Sequence, residues 1–231
     1  MTGFRTLFVL TIACLGAAAG FGASPADGGL EAVFKSMDQA APGFKGLTAD
    51  IRKVAYTKVV NVEDVSEGTI VVKRMKPRDT RIRIDFKKPN QQMVAIGGGK
   101  LEIYYPKLNE VQEADLGKAR SVVDQLMLLG FGSNSADLQD AYTVTLGGPE
   151  PVNGEKATRI VLIPKSKEIL QSVKKCDLWI SDKGITLQQK IDQGGGDYLL
   201  STYSHMNLSS TIPESAVKLE IPKGAKRTKL K

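Results

Sequence analysis

Apolar residues along the chain first recur with a helical period. Leu30, Val33, Phe34 and Met37 fall at i, i+3, i+4 and i+7, one stripe of an amphipathic helix that Pro42-Gly43 ends. Period two then takes over. Leu47, Ala49 and Ile51 point one way, with Asp50 and Arg52 pointing the other. Ile70 and Val72 share a face with Arg74 and Lys76. Ile82, Ile84 and Phe86 alternate with Arg81, Arg83 and Asp85, the clearest half-buried strand in the chain.

Met93 to Ile96 forms the next strand, turned by Gly97-Gly98-Gly99 into Leu101 to Tyr105, which Pro106 closes. A strand over 110–116 precedes a helix over 118–129, apolar on more than one side through Val122, Val123, Leu126, Met127 and Leu129. A further helical turn is expected at 136–141. Strands then resume at 142–146, 157–163, 174–181, 184–193, 197–208 and 216–221, with hairpin turns at Asp182-Lys183-Gly184 and Gly194-Gly195-Gly196. About ten or eleven antiparallel strands with two helical inserts predict one domain over 27–231. Its expected form is mainly β with an α lid, a strongly curved sheet or unclosed barrel covered by helices.

Residues 1–26 stand apart from this pattern. Arg5 and the apolar run Leu7 to Ala19 read as a cleaved export signal, with small residues at Ala17 and Ala19 or Ser24 and Ala26 for processing. The run falls short of the ~20 apolar residues that span a bilayer. Cys14 raises a lipoprotein alternative, although Thr11 stands where a lipobox has Leu. Once the signal is removed only Cys176 is left, so no disulfide is expected within the domain.

Composition narrows the chemistry. The 231 residues include one histidine, His205, and two cysteines, which removes most His- and Cys-dependent catalysis. No HExxH or G-x-S-x-G motif is present, and Gly97-Gly98-Gly99-Lys100 lacks the spacing of a phosphate loop. No metal, cofactor or catalytic residue is therefore expected. Hydrolysis by scattered carboxylates is the one enzymatic alternative left open. Thirty-two basic against 25 acidic residues give a formal charge of +7, and eight of those basic residues crowd into 73–88. Phe86 is the only aromatic there, which argues against nucleic acid. A solvated strand face, or attraction to anionic head groups or an acidic partner, remains. Five more basic residues in 223–231 read as a frayed tail.

The segment Pro89 to Pro106, PNQQMVAIGGGKLEIYYP, resembles the outer-membrane lipoprotein carrier family, LolA. Gly68-Thr69-Ile70-Val71-Val72-Lys73-Arg74 is similar to that family's strand leading to a K-R-P sequence. The apolar helix after 110–116 and a terminal I-P…P-x-G pattern (Ile212-Pro213, Pro222, Gly224) match in order. The resemblance implies an unclosed barrel, lidded by helices, whose hydrophobic cavity holds lipoprotein acyl chains. It implies a monomer in the periplasm that takes cargo from an inner-membrane ATP-driven release complex and passes it to an outer-membrane acceptor. A strand arginine of the K-R-P motif would hold the lid closed. Matching on K-R places that latch on Arg74, and matching on the residue before proline places it on Lys76. The cavity would be lined by Ile82, Ile84 and Phe86, with Ile51, Val72 and Ile103, and on the lids by Leu30, Phe34, Val122 and Leu126. A lipid-sensing or outer-membrane-anchored acceptor domain of the same fold is the alternative.

Overall fold

The computed structural model describes residues 26–76, 79–117, 129, 131–209 and 211–230. Helix α1 (Ala26–Ala40) carries the predicted stripe and passes into a 3-10 turn at Ala41–Gly43, where Pro42 stops it. The alternating segments follow as β1 (Gly46–Thr57), β2 (Val62–Lys76), β3 (Asp79–Lys88), β4 (Gln92–Gly97), β5 (Lys100–Tyr105) and β6 (Glu110–Asp115). After the short helix α2 (Ser135–Ala141) come β7 (Tyr142–Pro149) and β8 (Ala157–Pro164). Helix α3 (Lys167–Ser172) leads to β9 (Lys175–Ser181), β10 (Thr186–Gly194), β11 (Asp197–Leu208) and β12 (Lys226–Lys229).

These strands make one 12-stranded sheet in the order β12-β6-β5-β4-β3-β2-β1-β11-β10-β9-β8-β7. All neighbours are antiparallel except β12, which lies parallel to β6. The end strands β7 and β12 do not pair with each other, so the sheet stays open. The mainly β, unclosed architecture read from the alternation is the one the chain adopts.

Burial separates two cores on the inner face. One packs Val33 and Met37 of α1 against Tyr142, Ile160, Leu162, Leu178 and Ile180 of β7–β9, and Leu129 joins it. The other gathers Phe44, Leu47, Ala49, Ile51, Ile70, Val72, Phe86, Phe131 and Tyr203 over β1–β3 and β11. On the opposite face Trp179, alternating with Leu178 and Ile180, packs with Val152, Ala157 and Leu187. Cys176 lies in the first core, where burial pushes its thiol up to about 12 and leaves it unreactive near neutrality.

Two local expectations are corrected. Residues 216–221 form no strand: Glu214–Val217 is a 3-10 turn with Val217 buried. Pro213 and Pro222 bracket the segment and remove amide donors a ladder would need. The basic tail is not frayed at 226–229, because it forms β12 along β6, with Arg227 at 2.9 Å from Glu113 and the Thr228 hydroxyl donating to Glu110 at 2.9 Å. Helix α3 carries little sequence signal, since its six residues are too few for a period and only the Ser166 cap marks it. The expected helix over 118–129 lies outside the described residues apart from Leu129, and so do Val122 and Leu126.

Three residues of the basic stretch 73–88 form an internal clamp, while Lys76, Lys87 and Lys88 are exposed. Lys73 donates to the carbonyl of Ile212, Arg81 lies 3.1 Å from Glu214, and Arg83 donates to the carbonyl of Lys218 at 3.0 Å. Odd-numbered side chains of β2 and β3 thus face away from the inner core and strap residues 212–218 across the outer face. Gly46 belongs to this arrangement: a Cβ there would lie 2.6 Å from the Val72 carbonyl oxygen and 2.9 Å from Ile212. His205 sits on the outer face too, at φ 48° in a β1–β11 bulge, with Nδ1 2.8 Å from exposed Asp50.

Candidate functional site

Pairing register places the inner-face residues of β1–β5 in two apolar lines. Leu47, Val72, Ile82, Ile96 and Leu101 are successive cross-strand partners, as are Ala49, Ile70, Ile84, Val94 and Ile103. Partners directly opposite share a face, so each line is a continuous apolar ridge across five strands. On β1 and β2 these residues are buried; on β3, β4 and β5 they are only half-buried. The sheet therefore carries an apolar trough whose β3–β5 half still has surface to cover. The next line, Ile51, Gly68, Phe86, Gln92 and Tyr105, turns polar toward β5, where the Gln92 amide donates to the Tyr105 hydroxyl at 3.4 Å.

Ile51, Val72 and Phe86 are buried in the second core, with Ile82 and Ile84 packed against it. Ile103 continues the Ile84–Val94 line and is half-buried. Leu30 packs instead against the α1–β7–β9 core, and Phe34 is half-buried on the same helix. The structure thus brings six of these lining residues onto one sheet face and leaves Leu30 elsewhere.

Arg74 ends the trough. Its Nη1 donates to the carbonyl of Ala41 at 3.0 Å, its Nη2 donates to the carbonyl of Gly132, and its guanidinium lies 5.3 Å from the Phe44 ring centroid. One side chain on β2 thereby joins the C-terminal end of α1 to the 131–135 segment. The planar fork suits this, since two carbonyls are reached at once while the ring face takes up the cation. Lys76 has no such geometry. The β2–β3 register shifts between Arg74 and Lys76, so the shared face expected from period two breaks there, and Lys76 is exposed.

A second tie joins α1 to α2. Asp38 of α1 accepts from both the amide and the hydroxyl of Ser135, each at 2.7 Å, while Asn134 caps the helix by accepting from the Asp137 amide at 2.7 Å. The Asn134-x-x-Asp137 spacing carried a capping signal, but nothing local pointed to Asp38, 97 residues away. Asp38, Arg74, Gly132 and Ser135 border one pocket of about 530 Å³ floored by Phe131. Phe131 stands edge-on to Tyr203 at 4.9 Å and stacks on Phe44 at 6.4 Å. Burial pushes the Tyr203 phenol up to about 12, so it stays neutral. Aromatics are scarce in this chain, yet Phe44, Phe86, Phe131 and Tyr203 share one cluster. Among the described residues, no group of His, Cys, Asp and Glu has the arrangement of a metal site.

This sheet, trough and crosslink can be set beside known proteins. The model of the family described as outer membrane lipoprotein carrier protein LolA matches residues 44–209. The chain belongs to the LolA family. An outer-membrane lipoprotein carrier protein of Methylococcus capsulatus is 29% identical over 168 residues, 73% of this chain and 71% of the relative. One of Cupriavidus pinatubonensis is 30% identical over 141 residues, 61% of each chain. Among solved structures, an uncharacterized conserved protein from Thermus thermophilus is similar in fold, at a TM-score of 0.50 and 13% identity over 90% of this chain and all of that one. The LolA match spans β1 through β11, and so includes every strand of the trough and Arg74.

Proposed function

We propose that this LolA-family protein is a periplasmic carrier that shelters the acyl chains of lipoproteins on their way from the inner to the outer membrane. Residues 1–26 would direct export and be removed. The observation that carries the reading is the half-buried apolar trough of β3–β5 ending at a guanidinium that crosslinks two covering segments. Its relatives from Methylococcus and Cupriavidus, named as outer-membrane lipoprotein carriers, support the choice of cargo.

The physics sets what such a carrier must do. Each methylene removed from water contributes about 0.8 kcal/mol, so a long acyl chain gains roughly 10 kcal/mol from shelter. Held that tightly, cargo would not leave. Separation of α1 from the 131–135 segment admits the chains but breaks the two Arg74 hydrogen bonds, each worth about 1.5–3 kcal/mol, and the Asp38–Ser135 pair. Loaded protein is thus higher in energy than acyl burial alone would make it, and passage to an acceptor becomes favourable. Ile82, Ile84 and Ile103 cover the chains, Ile51, Val72 and Phe86 support them from below, and Arg74 serves as latch. An ATP-driven inner-membrane complex would supply the energy for loading.

The test is lipoprotein exchange in a reconstituted system. Arg74→Leu protein is expected to accept lipoprotein but to release it to acceptor membranes several-fold more slowly than wild type. Exchange at the wild-type rate in both directions would remove the latch from the account.

A further inference from the structure

The hairpin between β1 and β2 projects beyond its neighbours. β2 pairs with β3 only from Glu67 onward, so residues 58–66 extend past the end of β3. At the tip Val59 is 92% exposed and Val60 62%, with Val62 beside them at 52%. The turn is built to hold them out. Asn61 adopts φ 50°, its amide donates to the Lys58 carbonyl at 3.1 Å, and the Tyr56 hydroxyl donates to its side chain at 2.9 Å. Below, Tyr56 stacks on Tyr198 at 5.0 Å.

The connectivity brings other turns to this end. The β5–β6 turn presents Lys107 and Leu108, the latter 70% exposed, and the β3–β4 turn follows exposed Lys87 and Lys88. Acids on the hairpin and beside it have partners of their own: Glu63 accepts from the Tyr198 hydroxyl at 3.2 Å, Asp197 accepts from the Lys58 amide at 2.8 Å, and Glu67 lies 3.9 Å from Lys88. Glu63, opposite Tyr56, and Asp64, opposite Ala55, are exposed carboxylates on the hairpin stem below the tip, and Glu67 is exposed further down. A hydrogen-bonded apolar tip over a stacked aromatic pair, with Lys58 on the hairpin and Lys87, Lys88 and Lys107 at the neighbouring turns, has the chemistry of a membrane-interface contact.

We propose that this end of the barrel docks on an anionic bilayer surface, with Val59 and Val60 entering the interface and Lys58, Lys87, Lys88 and Lys107 facing its head groups. The proposal goes beyond the carrier reading and uses none of the latch residues. The lysines supply a salt-sensitive attraction, and the valines supply a salt-resistant part. Contact is reversible, because two apolar side chains are far short of an anchor. It would present the polar end of the trough to the membrane.

Vesicle flotation tests it, with wild type and variants prepared identically. Wild type is expected to float with vesicles of phosphatidylglycerol and phosphatidylcholine, and much less with phosphatidylcholine alone. Val59→Asp/Val60→Asp is expected to lower binding to the anionic vesicles about tenfold with an unchanged melting curve. If that variant fails to fold, Lys107→Glu/Leu108→Ser is measured instead and is expected to weaken binding several-fold. Absence of wild-type flotation, equal flotation of a folded variant, or indifference to lipid charge would each overturn the proposal. Binding of a fluorescent fatty-acyl probe, read in parallel, reports on the trough alone and keeps failure of docking distinct from failure of the carrier reading.

Discussion

The guanidinium of Arg74 stands 3.0 Å from the carbonyl oxygen of Ala41, a residue 33 positions earlier in the chain, and the same side chain donates to Gly132 on a third segment. Removing it leaves two carbonyls without their charged donor. Arg74→Leu should therefore lower unfolding stability by about 3 kcal/mol or more, and Arg74→Lys by roughly half that because an ammonium is a point donor. Urea denaturation measures both. A loss within about 0.5 kcal/mol of zero for the leucine variant contradicts the crosslink.

Gly132 makes that contact possible. It lies at φ +72°, and a Cβ added there would fall on the Arg74 guanidinium and the Phe44 ring. Gly132→Ala should cost about 1–3 kcal/mol through backbone conformation and collision together. In an Arg74→Leu background the cost should shrink, because part of the obstruction is gone. Equal costs in both backgrounds would show that the two residues do not act on one another.

Asp38 and Ser135 form the other tie between α1 and α2. Asp38→Ala leaves the Ser135 amide and hydroxyl without their acceptor and should cost about 1–2 kcal/mol. The loss in a double Asp38→Ala/Ser135→Ala variant should fall short of the sum, with a coupling of at least about 0.5 kcal/mol. Strict additivity in thermal or urea unfolding would contradict a shared interaction.

The C-terminal strap gives a pH signature. The Thr228 hydroxyl hydrogen bond, aided by Gln112 and Lys226, holds the Glu110 carboxyl below its ordinary 4.5, and the hydrogen bond from Lys218, aided by its charge and by Arg81, does the same for Glu214. A carboxyl whose folded pKa is depressed contributes stability that is fully present above its unfolded pKa and is lost as pH falls through the folded one. Protection of the Leu230 amide, which donates to the backbone carbonyl of Glu113 at 2.9 Å, should therefore hold from neutrality to just above 4.5 and fall below it. Hydrogen exchange, corrected for intrinsic rate, follows this directly. Undiminished protection down to about pH 3 would contradict the tether.

Legibility in the sequence followed the range of the interactions. Ile82, Ile84 and Phe86 were readable because alternation is a local consequence of the pleat, and register then carried the same parity to Val94 and Ile103. Parity failed one step past Arg74, where a register shift intervenes and no local residue type marks it. Asp38 meeting Ser135 and Lys73 meeting Ile212 join residues 97 and 139 apart, and no period connects such positions. Within the basic run 73–88, the pairing of Arg83 with Asp85 is local, whereas the contacts of Lys73, Arg81 and Arg83 with the strap join residues more than 130 positions apart and had no local signal. For β12, tail composition suggested fraying, whereas the open edge of β6 and its Glu110 and Glu113 decided the outcome.

The central claim is that acyl chains lie on the β3–β5 half of the inner face. Photo-crosslinking in cells tests it most directly, with p-benzoylphenylalanine placed at Ile84 in the trough or at exposed Arg52 on the outer face. Irradiation is expected to yield adducts carrying acylated lipoprotein from position 84 and none from position 52. Adducts of equal yield from both positions, or adducts at 84 without acyl chains, would contradict it.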